Sequence, residues 1–488
     1  MTGWLLAALL AAPLAAATGC PILRAPRPCE ALNLVAGAVS FACALPLPFL
    51  LGGRALFYWD GYVILDRVSA WVVLCTAIVY FLASIYAVGY MRLLNEDRRL
   101  FRFYALFAGF ALTTLAAPLM NNLGLYWIAI ELTTLVSTFL VAFERAAESM
   151  EAAWKYIVIV SAGISLALLG TVLFYWAGSI VLGSRYQMTW AVLAGAAPQM
   201  NPVLLTLAFL LVLVGYGTKV GLAPMHTWLP DAHSESPAPV SAMLSGALLN
   251  TAMIGVARFL GVARSARLGA LPQLAVVAFG AVSLLIGALF IVRQQGIKRL
   301  MAYSSVEHMG VVALGFGFGG ALGVAGALYH MLNHSLNKSL MFFGAGSMMR
   351  AYGTKDIAQI AGVSRFFPSE GALWLAGAVA ITGAPPFGLF LSEFTIMRAG
   401  LKPAFSWAVG VMAVLLIVIF VGFMNQFRRM YYTPDPVAGA APAGRVSVWC
   451  AVPMWLSLAP LLALGLWWPA GIWNYLTSIA PSLSPGLP

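Results

Sequence analysis

Apolar residues run along this chain in segments of about 20, long enough as α-helices to cross a hydrocarbon core of roughly 30 Å. Fourteen such segments are predicted, beginning near residues 2, 31, 68, 103, 123, 154, 202, 238, 272, 301, 324, 371, 403 and 447. The polar/apolar alternation of a membrane β-barrel is absent, so the pattern predicts an all-α polytopic membrane protein. The first segment, MTGWLLAALLAAPLAAATG, lacks the basic start of a signal peptide and reads as the first span. No soluble domain interrupts the series, and residues 1–488 form one transmembrane domain. Within it, 1–102 carries the first three spans, 103–260 and 272–427 five spans each, and 447–476 the last.

Two segments are broken in a similar way. GYGTKVGLAPMHTWLPDAH (215–233) interrupts the seventh span and AITGAPPFGLFLSEF (380–394) the twelfth. Glycine and proline at membrane depth free backbone groups that protein or cavity water must satisfy. Paired breaks in two halves of a chain predict inverted repeats with ion sites at the breaks.

Against this apolar background the polar positions stand out. In YHMLNHSLNKSLMFFGAG (329–346), His330, Asn333, His334, Asn337 and Lys338 follow helical spacing and share roughly 140° of one face. Five aligned polar groups need a polar neighbour or water. Imidazole accepts a proton on one nitrogen and releases one from the other, so His330, His334 and Lys338 read as stations on a proton path. A structural interhelical network is the alternative. Ser335 and Ser339 fall off the stripe and are expected to bond their own helix's carbonyls.

A charge at the bilayer centre costs ~2.5–3.5 kcal/mol on insertion scales, so each one retained is a candidate functional residue. Glu131 is the only charge in its span, and Lys219 closes an apolar run just before the break at Pro224. They read as a separable proton switch or as a fixed ion pair that specifies packing. His226, Asp231 and His233 belong either to the path or to a hydrogen-bonded re-entrant loop. Lys155 is either part of the path or a side chain snorkelling to the interface. Glu393 is either the path's end or a helix-end carboxylate facing water.

Composition narrows the class. The chain is 62% hydrophobic and only 9% charged, against a globular average near 25% charged. The net charge of +11 would suggest nucleic acid in a soluble protein, but its distribution makes it a topology signal. Loops after odd-numbered spans carry sixteen Lys and Arg, among them Arg92, Arg98, Lys298, Arg350 and Arg445. Loops after even-numbered spans carry eight: Arg54, Arg67, Arg185, Arg258, Arg264, Arg267, Arg398 and Lys402. The positive-inside rule then predicts odd loops in the cytoplasm and both termini outside. The five cysteines are scattered with no C-x-x-C, and no Gly-rich nucleotide loop occurs, so no metal, redox cofactor or nucleotide is expected on this chain.

The segment PMHTWLPDAHSESPAPVSAMLSGALLNTAMIGVARF, with Lys219 before it and KRLMAYSSVEHMG (298–310) after it, resembles the antiporter-like proton-channel subunits of respiratory complex I, Mrp antiporters and group 4 membrane-bound hydrogenases. SESPAPVSAMLSGALLN and SSVEHMG are most similar to the hydrogenase-4 and formate-hydrogenlyase branch. The resemblance implies fourteen core helices, two inverted five-helix units and a hydrophilic midplane axis. It matches Glu131 to the family's fifth-helix glutamate, Lys219 to its seventh-helix lysine, His330, His334 and Lys338 to its eleventh-helix set, and Glu393 to its twelfth-helix carboxylate. Asn250 stands where many complex I members have lysine, which implies a water-orienting role. Glu307 and His308 are expected to gate the centre.

The reading is a proton-translocating, non-redox subunit of an oxidoreductase in a bacterial or archaeal cytoplasmic membrane. Its expected partners are lipid, other membrane subunits and a peripheral redox arm of nickel-iron hydrogenase type. A subunit of an Mrp-type sodium/proton antiporter and a partner of an inorganic-carbon uptake module are the alternatives.

Overall fold

The computed structural model describes residues 2–93, 97–432 and 446–485. Arg445, most of the 428–446 connection and the middle of the 91–102 connection, with the side chain of Arg98, lie outside the described residues. The long helices are α1 (Thr2–Leu23), α2 (Pro26–Ala44), α3 (Arg67–Arg92), α4 (Asp97–Ala116), α5 (Leu123–Val141), α6 (Ala147–Leu182) and α7 (Pro202–Val220). They continue as α8 (Ala238–Ser265), α9 (Leu271–Val292), α10 (Ile297–Phe318), α11 (Gly320–Tyr352), α12 (in two parts, Pro368–Ile381 and Gly388–Gly400), α13 (Ser406–Tyr432) and α14 (Val448–Leu466). The only strands among the described residues, β1 (Leu56–Tyr58) and β2 (Val63–Leu65), form a hairpin before α3.

Eleven helices among the described residues are long and apolar enough to cross a membrane. The other long ones are α10, α11 and the split α12. Polar side chains dilute the apolarity of α10 and α11, and nearly all of their residues are buried by neighbouring helices. That is how polar residues are carried at membrane depth without facing lipid.

Local chemistry sets several helix ends. Asn122 caps α5 by accepting from the amides of Gly124 and Leu125 (2.9 and 3.1 Å), and Asn201 caps α7 in the same way. Gly221, at φ 79°, ends α7 in the left-handed conformation that glycine tolerates. Beyond it the chain breaks as expected before a short helix, Trp228–Glu235. The freed backbone groups find partners: Trp228 Nε1 donates to Thr218 O (2.7 Å), and the Ala223 amide donates to Ser283 Oγ of α9 (2.9 Å).

Small residues let the helices approach closely. A Cβ at Gly215 would lie 2.4 Å from the Ala167 amide nitrogen of α6, and one at Gly310 would lie 2.7 Å from the Gly280 carbonyl of α9.

The connections sort onto two faces. Arg92 pairs with Glu30, Arg350 with Glu144 (2.8 Å) and Lys355 with Glu235 (2.6 Å), while Gly296 bridges Asp356, so the odd connections share one face. The even connections share the other, through bridges from Val63 to Met120 and from Asn122 to Thr189, and the Gly320 amide donates there to Ser484 Oγ (2.9 Å).

Several cations assigned to loops by sequence lie at helix ends, and three lie deeper and bond inside the bundle. Arg258 and Arg264 lie within α8, and Lys298 within α10, which starts four residues earlier than expected. Removing them leaves the odd face the more basic. Arg258 Nη2 donates to both carboxylate oxygens of Asp66 (2.9 Å each) and to Ser69 Oγ, and Arg264 donates to the Phe316 and Leu483 carbonyls. Breaking a fully buried pair costs about 3–5 kcal/mol, and less where one partner meets water, as Asp66 does here at 22% exposed, whereas replacing both partners by apolar groups is often neutral. Asp66→Ala is therefore expected to lower the thermal unfolding midpoint in detergent, and Asp66→Leu with Arg258→Met to recover the ion-pair part of the loss but not the part due to the α3 cap, where Asp66 Oδ1 accepts from the Ser69 amide (2.7 Å). An unchanged midpoint in Asp66→Ala would show that the pair contributes nothing.

Candidate functional site

A line of polar side chains, partly exposed at Glu131 and buried from Thr134 onward, crosses the bundle from α5 to α12. It begins at Glu131 on α5, whose carboxylate accepts from Ser161 Oγ of α6 (2.7 Å) and, through its other oxygen, from Thr134 Oγ1 (3.4 Å). Lys219 sits at the end of α7, fully buried, and donates to Thr134 Oγ1 (2.7 Å) and to the Tyr156 hydroxyl (2.8 Å). The expected Glu131–Lys219 ion pair is therefore not direct: Thr134 stands between the two charges and bonds both. The threonine lies one turn from Glu131, so α5 sets the two side chains on one face, and the packing of α7 against that face brings Lys219 to the threonine.

Beyond Lys219 the broken segment supplies two buried histidines. His226 sets its ring against the edge of Tyr303 from α10 (6.2 Å between centroids), and its Nδ1 lacks a partner. His233 stacks on Phe342 of α11 (5.0 Å), and neither of its ring nitrogens has a partner. Asp231 belongs elsewhere. It pairs with Arg299 (2.8 Å) and with Lys155 (3.4 Å), which also pairs with Glu151 (2.6 Å). Lys155 is 45% exposed and takes no part in the buried line. The snorkelling alternative describes it.

The stripe on α11 lies between α10 and α12. His330 Nε2 is 3.0 Å from His308 Nδ1 of α10, and His330 Nδ1 is 2.9 Å from Ser392 Oγ of α12. His334 places its ring 5.4 Å from that of His308, with both nitrogens unpartnered. Lys338 donates to Ser304 Oγ and to the Met301 carbonyl of α10 (3.1 Å). Asn333 and Asn337 donate to the Tyr329 and Gly377 carbonyls (2.9 Å each), and both leave Oδ1 free. Glu307 has no hydrogen-bond partner on either oxygen, and its Oε2 is 3.5 Å from His308 Nε2. Glu393 is 3% exposed with Oε1 unpartnered, so it is a buried group and not a water-facing helix end. A Cβ at Gly383 would lie 2.0 Å from its Oε2, so only glycine leaves room for this carboxylate at the α12 break.

Metal-ligating atoms of His308, His330 and Glu393 lie within 4.8 Å of one another, a spacing that can hold a metal ion. The same spacing suits proton exchange, since each imidazole offers one donor and one acceptor nitrogen.

Asn250 joins α8 to α11. From a turn after the π-helical stretch Leu244–Leu248 in α8, its Nδ2 donates to the Gly246 and Met331 carbonyls and to Ser335 Oγ (2.9 Å), and Oδ1 stays free. Ser335 was expected to bond only within its own helix. It does donate to Met331 O (2.9 Å), but also to Gly246 O across the interface (2.6 Å). The π turn displaces α8 enough to bring its carbonyl within reach. Ser339 behaves as expected, bonding Ser335 O (2.9 Å).

Lys298 was missed. It is 3% exposed and donates to the Ser234 (3.0 Å) and Ser236 carbonyls. It lines a cavity of about 200 Å³ on the odd face, beside the Glu144–Arg350 and Glu235–Lys355 pairs. A water occupies about 30 Å³ of liquid, so several fit there. Its position two turns before Ser305, within the KRLMAYSSVEHMG segment, was the available signal. Ser305 in turn bonds Ser245 of α8 (2.8 Å).

Residues 120–421 match the family described as NADH:quinone oxidoreductase/Mrp antiporter, transmembrane. This chain belongs to that family. The antiporter-like subunit is 38% identical over 376 residues to the hydrogenase-4 component F homolog of Methylacidiphilum infernorum (isolate V4), covering 75% of this chain and 78% of that protein. It shares its fold with a chain of the membrane-bound sulfane sulfur reductase, an archaeal respiratory membrane complex (TM-score 0.87, 22% identity, 98% of this chain and 97% of that one). It shares it also with a chain of the Mrp complex from Dietzia sp. DQ12-45-1b (TM-score 0.87, 20% identity, 99% and 98%).

Proposed function

We propose that this antiporter-like subunit moves protons across the cytoplasmic membrane within a larger redox complex, and that it does so along the polar line from Glu131 to Glu393. The observation that carries the proposal is the contact between α10, α11 and α12. There His308, His330 and Ser392 form one hydrogen-bonded chain, with Glu307, His334 and Glu393 beside it holding unpartnered polar atoms. Buried polar groups left unpaired cost about 1–3 kcal/mol each, and water or a mobile proton is what removes that cost. Lys219, Lys298 and Lys338 support it too, being buried and held by hydroxyls and carbonyls without a direct ion pair among the described residues. A lysine held by neutral acceptors changes protonation state more readily than one locked to a carboxylate.

In this mechanism Thr134 transmits between Glu131 and Lys219, because its hydroxyl accepts from the lysine while donating to the glutamate, so a change of charge on either is felt by the other. Asn250 orients water between the halves. His308 and His330 pass a proton by exchanging donor and acceptor nitrogens, and Glu393 receives it at the α12 break. The residues from 103–260 and 272–427 act as two inverted five-helix units. The partners are other membrane subunits and a peripheral arm of nickel-iron hydrogenase type, which performs the redox chemistry. Purification in mild detergent, with the accompanying subunits identified, tests the assembly; recovery with small antiporter subunits and no redox protein would overturn it.

The excess of basic residues on the odd face supports a cytoplasmic position for that face. Since the native cysteines of the described chain are buried, single new thiols report cleanly. Cysteine at exposed Ser184 is expected to react with an impermeant thiol reagent in intact cells, and cysteine at exposed Arg145 only after lysis. The reverse pattern would invert the orientation.

A further inference from the structure

A groove of about 900 Å³ opens on the basic face between α9, α10 and α13. Its walls divide by chemistry. Leu289, Phe290 and Val418 form an apolar side, while Arg293, Gln295 and Arg299 form a polar rim at the helix ends. Leu289 is 58% exposed, and Phe290 is held in place by stacking on Tyr303 (4.7 Å between centroids, 8° between planes).

The charge at the rim is not balanced. Arg299 pairs with Asp231, which Lys155 already shares, and Lys155 also engages Glu151. Arg293 is exposed and has no hydrogen-bond or ion-pair partner among the described residues. Three cations thus face two carboxylates, leaving an unpaired guanidinium above an exposed apolar wall.

We propose that this groove binds an anionic glycerophospholipid, with its phosphodiester against Arg293 and an acyl chain along Leu289, Phe290 and Val418. A guanidinium is suited to a phosphodiester because its planar fork offers two parallel donors. The apolar wall begins within one turn of the arginine, so one molecule carrying both a phosphate and a hydrocarbon chain satisfies both surfaces. A soluble anion would leave the wall uncovered. Anionic lipid is concentrated at the cytoplasmic surface, and a basic pocket between spans on that side attracts it.

The test is lipid retention, which does not depend on proton movement. The full chain, with the subunits that accompany it, is extracted in mild detergent, washed, and its bound phospholipid counted by native mass spectrometry. The parent is expected to retain phosphatidylglycerol or cardiolipin, and to recapture phosphatidylglycerol but not phosphatidylcholine from added micelles. Arg293→Gln is expected to weaken capture roughly five-fold, the contribution of one basic residue near an anionic surface. Leu289→Trp, which fills the apolar side, should lower it as well, and Arg54→Gln on the opposite face should not. Equal retention by Arg293→Gln and the parent would overturn the proposal. So would an effect of Arg293→Gln with none of Leu289→Trp, or displacement by millimolar inorganic phosphate alone, either of which marks a plain anion site. Loss of a protein subunit in place of lipid would mark the groove as a subunit contact and overturn it equally.

Discussion

Lys219→Arg is expected to abolish proton uptake while the complex still assembles. The lysine is fully buried and is held by two hydroxyls, those of Thr134 and Tyr156. Arginine keeps the charge and can reach the same acceptors, but its pKa above 12 prevents proton release. If Lys219 must lose its proton in each cycle, retaining the charge permanently is as damaging as removing it. Lys219→Arg and Lys219→Ala should each lower uptake in proteoliposomes by roughly 100-fold or more, the usual contribution of a positioned proton-transfer group. Because the guanidinium is larger than the ammonium and the site is tight, Thr134→Val gives an independent measure. It keeps both charges and removes only the hydroxyl between them, so it should slow uptake without preventing it, and Glu131→Gln should resemble the lysine variants. Full pumping by Lys219→Arg, with assembly confirmed, would exclude a lysine that releases its proton.

Much of this architecture was legible in the sequence because membrane helices are written in long apolar runs. The breaks at 221–227 and 382–387 were visible as glycine and proline where apolar helix was due, and the α11 stripe as helical spacing of polar groups. What escaped has two causes. Hydropathy places span ends only to within several residues, and a long helix extends beyond its apolar stretch. Lys298, Arg258 and Arg264 were read as loop cations for that reason, although each bonds buried carbonyl or carboxylate groups inside the bundle. The Thr134 bridge escaped for a different reason. Which hydroxyl stands between Glu131 and Lys219 depends on the distance and rotation of α5 against α7, and no spacing within one helix records that. The contact of Ser335 with α8 is of the same kind, set by a π turn that leaves no mark on the apolar pattern.

His334→Leu is expected to interrupt transport, and the geometry says how to separate that loss from a packing defect. His334 is buried beside His308, with both ring nitrogens unpartnered. Leucine removes a titrating group and also dries its surroundings, since water needs two to four polar partners to remain in a cavity. Insertion of α11 should be unharmed, because the substitution makes the helix more apolar. Uptake should fall by roughly 100-fold. His334→Gln should fall between, since an amide holds water but carries no proton at accessible pH. The control is Ser339→Ala, which removes a hydroxyl bonded only to its own helix and should change little. Ser335→Ala cannot serve, because that hydroxyl links Asn250 and Gly246 of α8 to α11, and its loss should itself slow uptake. If His334→Leu pumps like the parent, or if Ser339→Ala is equally damaging, the polar face of α11 holds helices together and carries no protons.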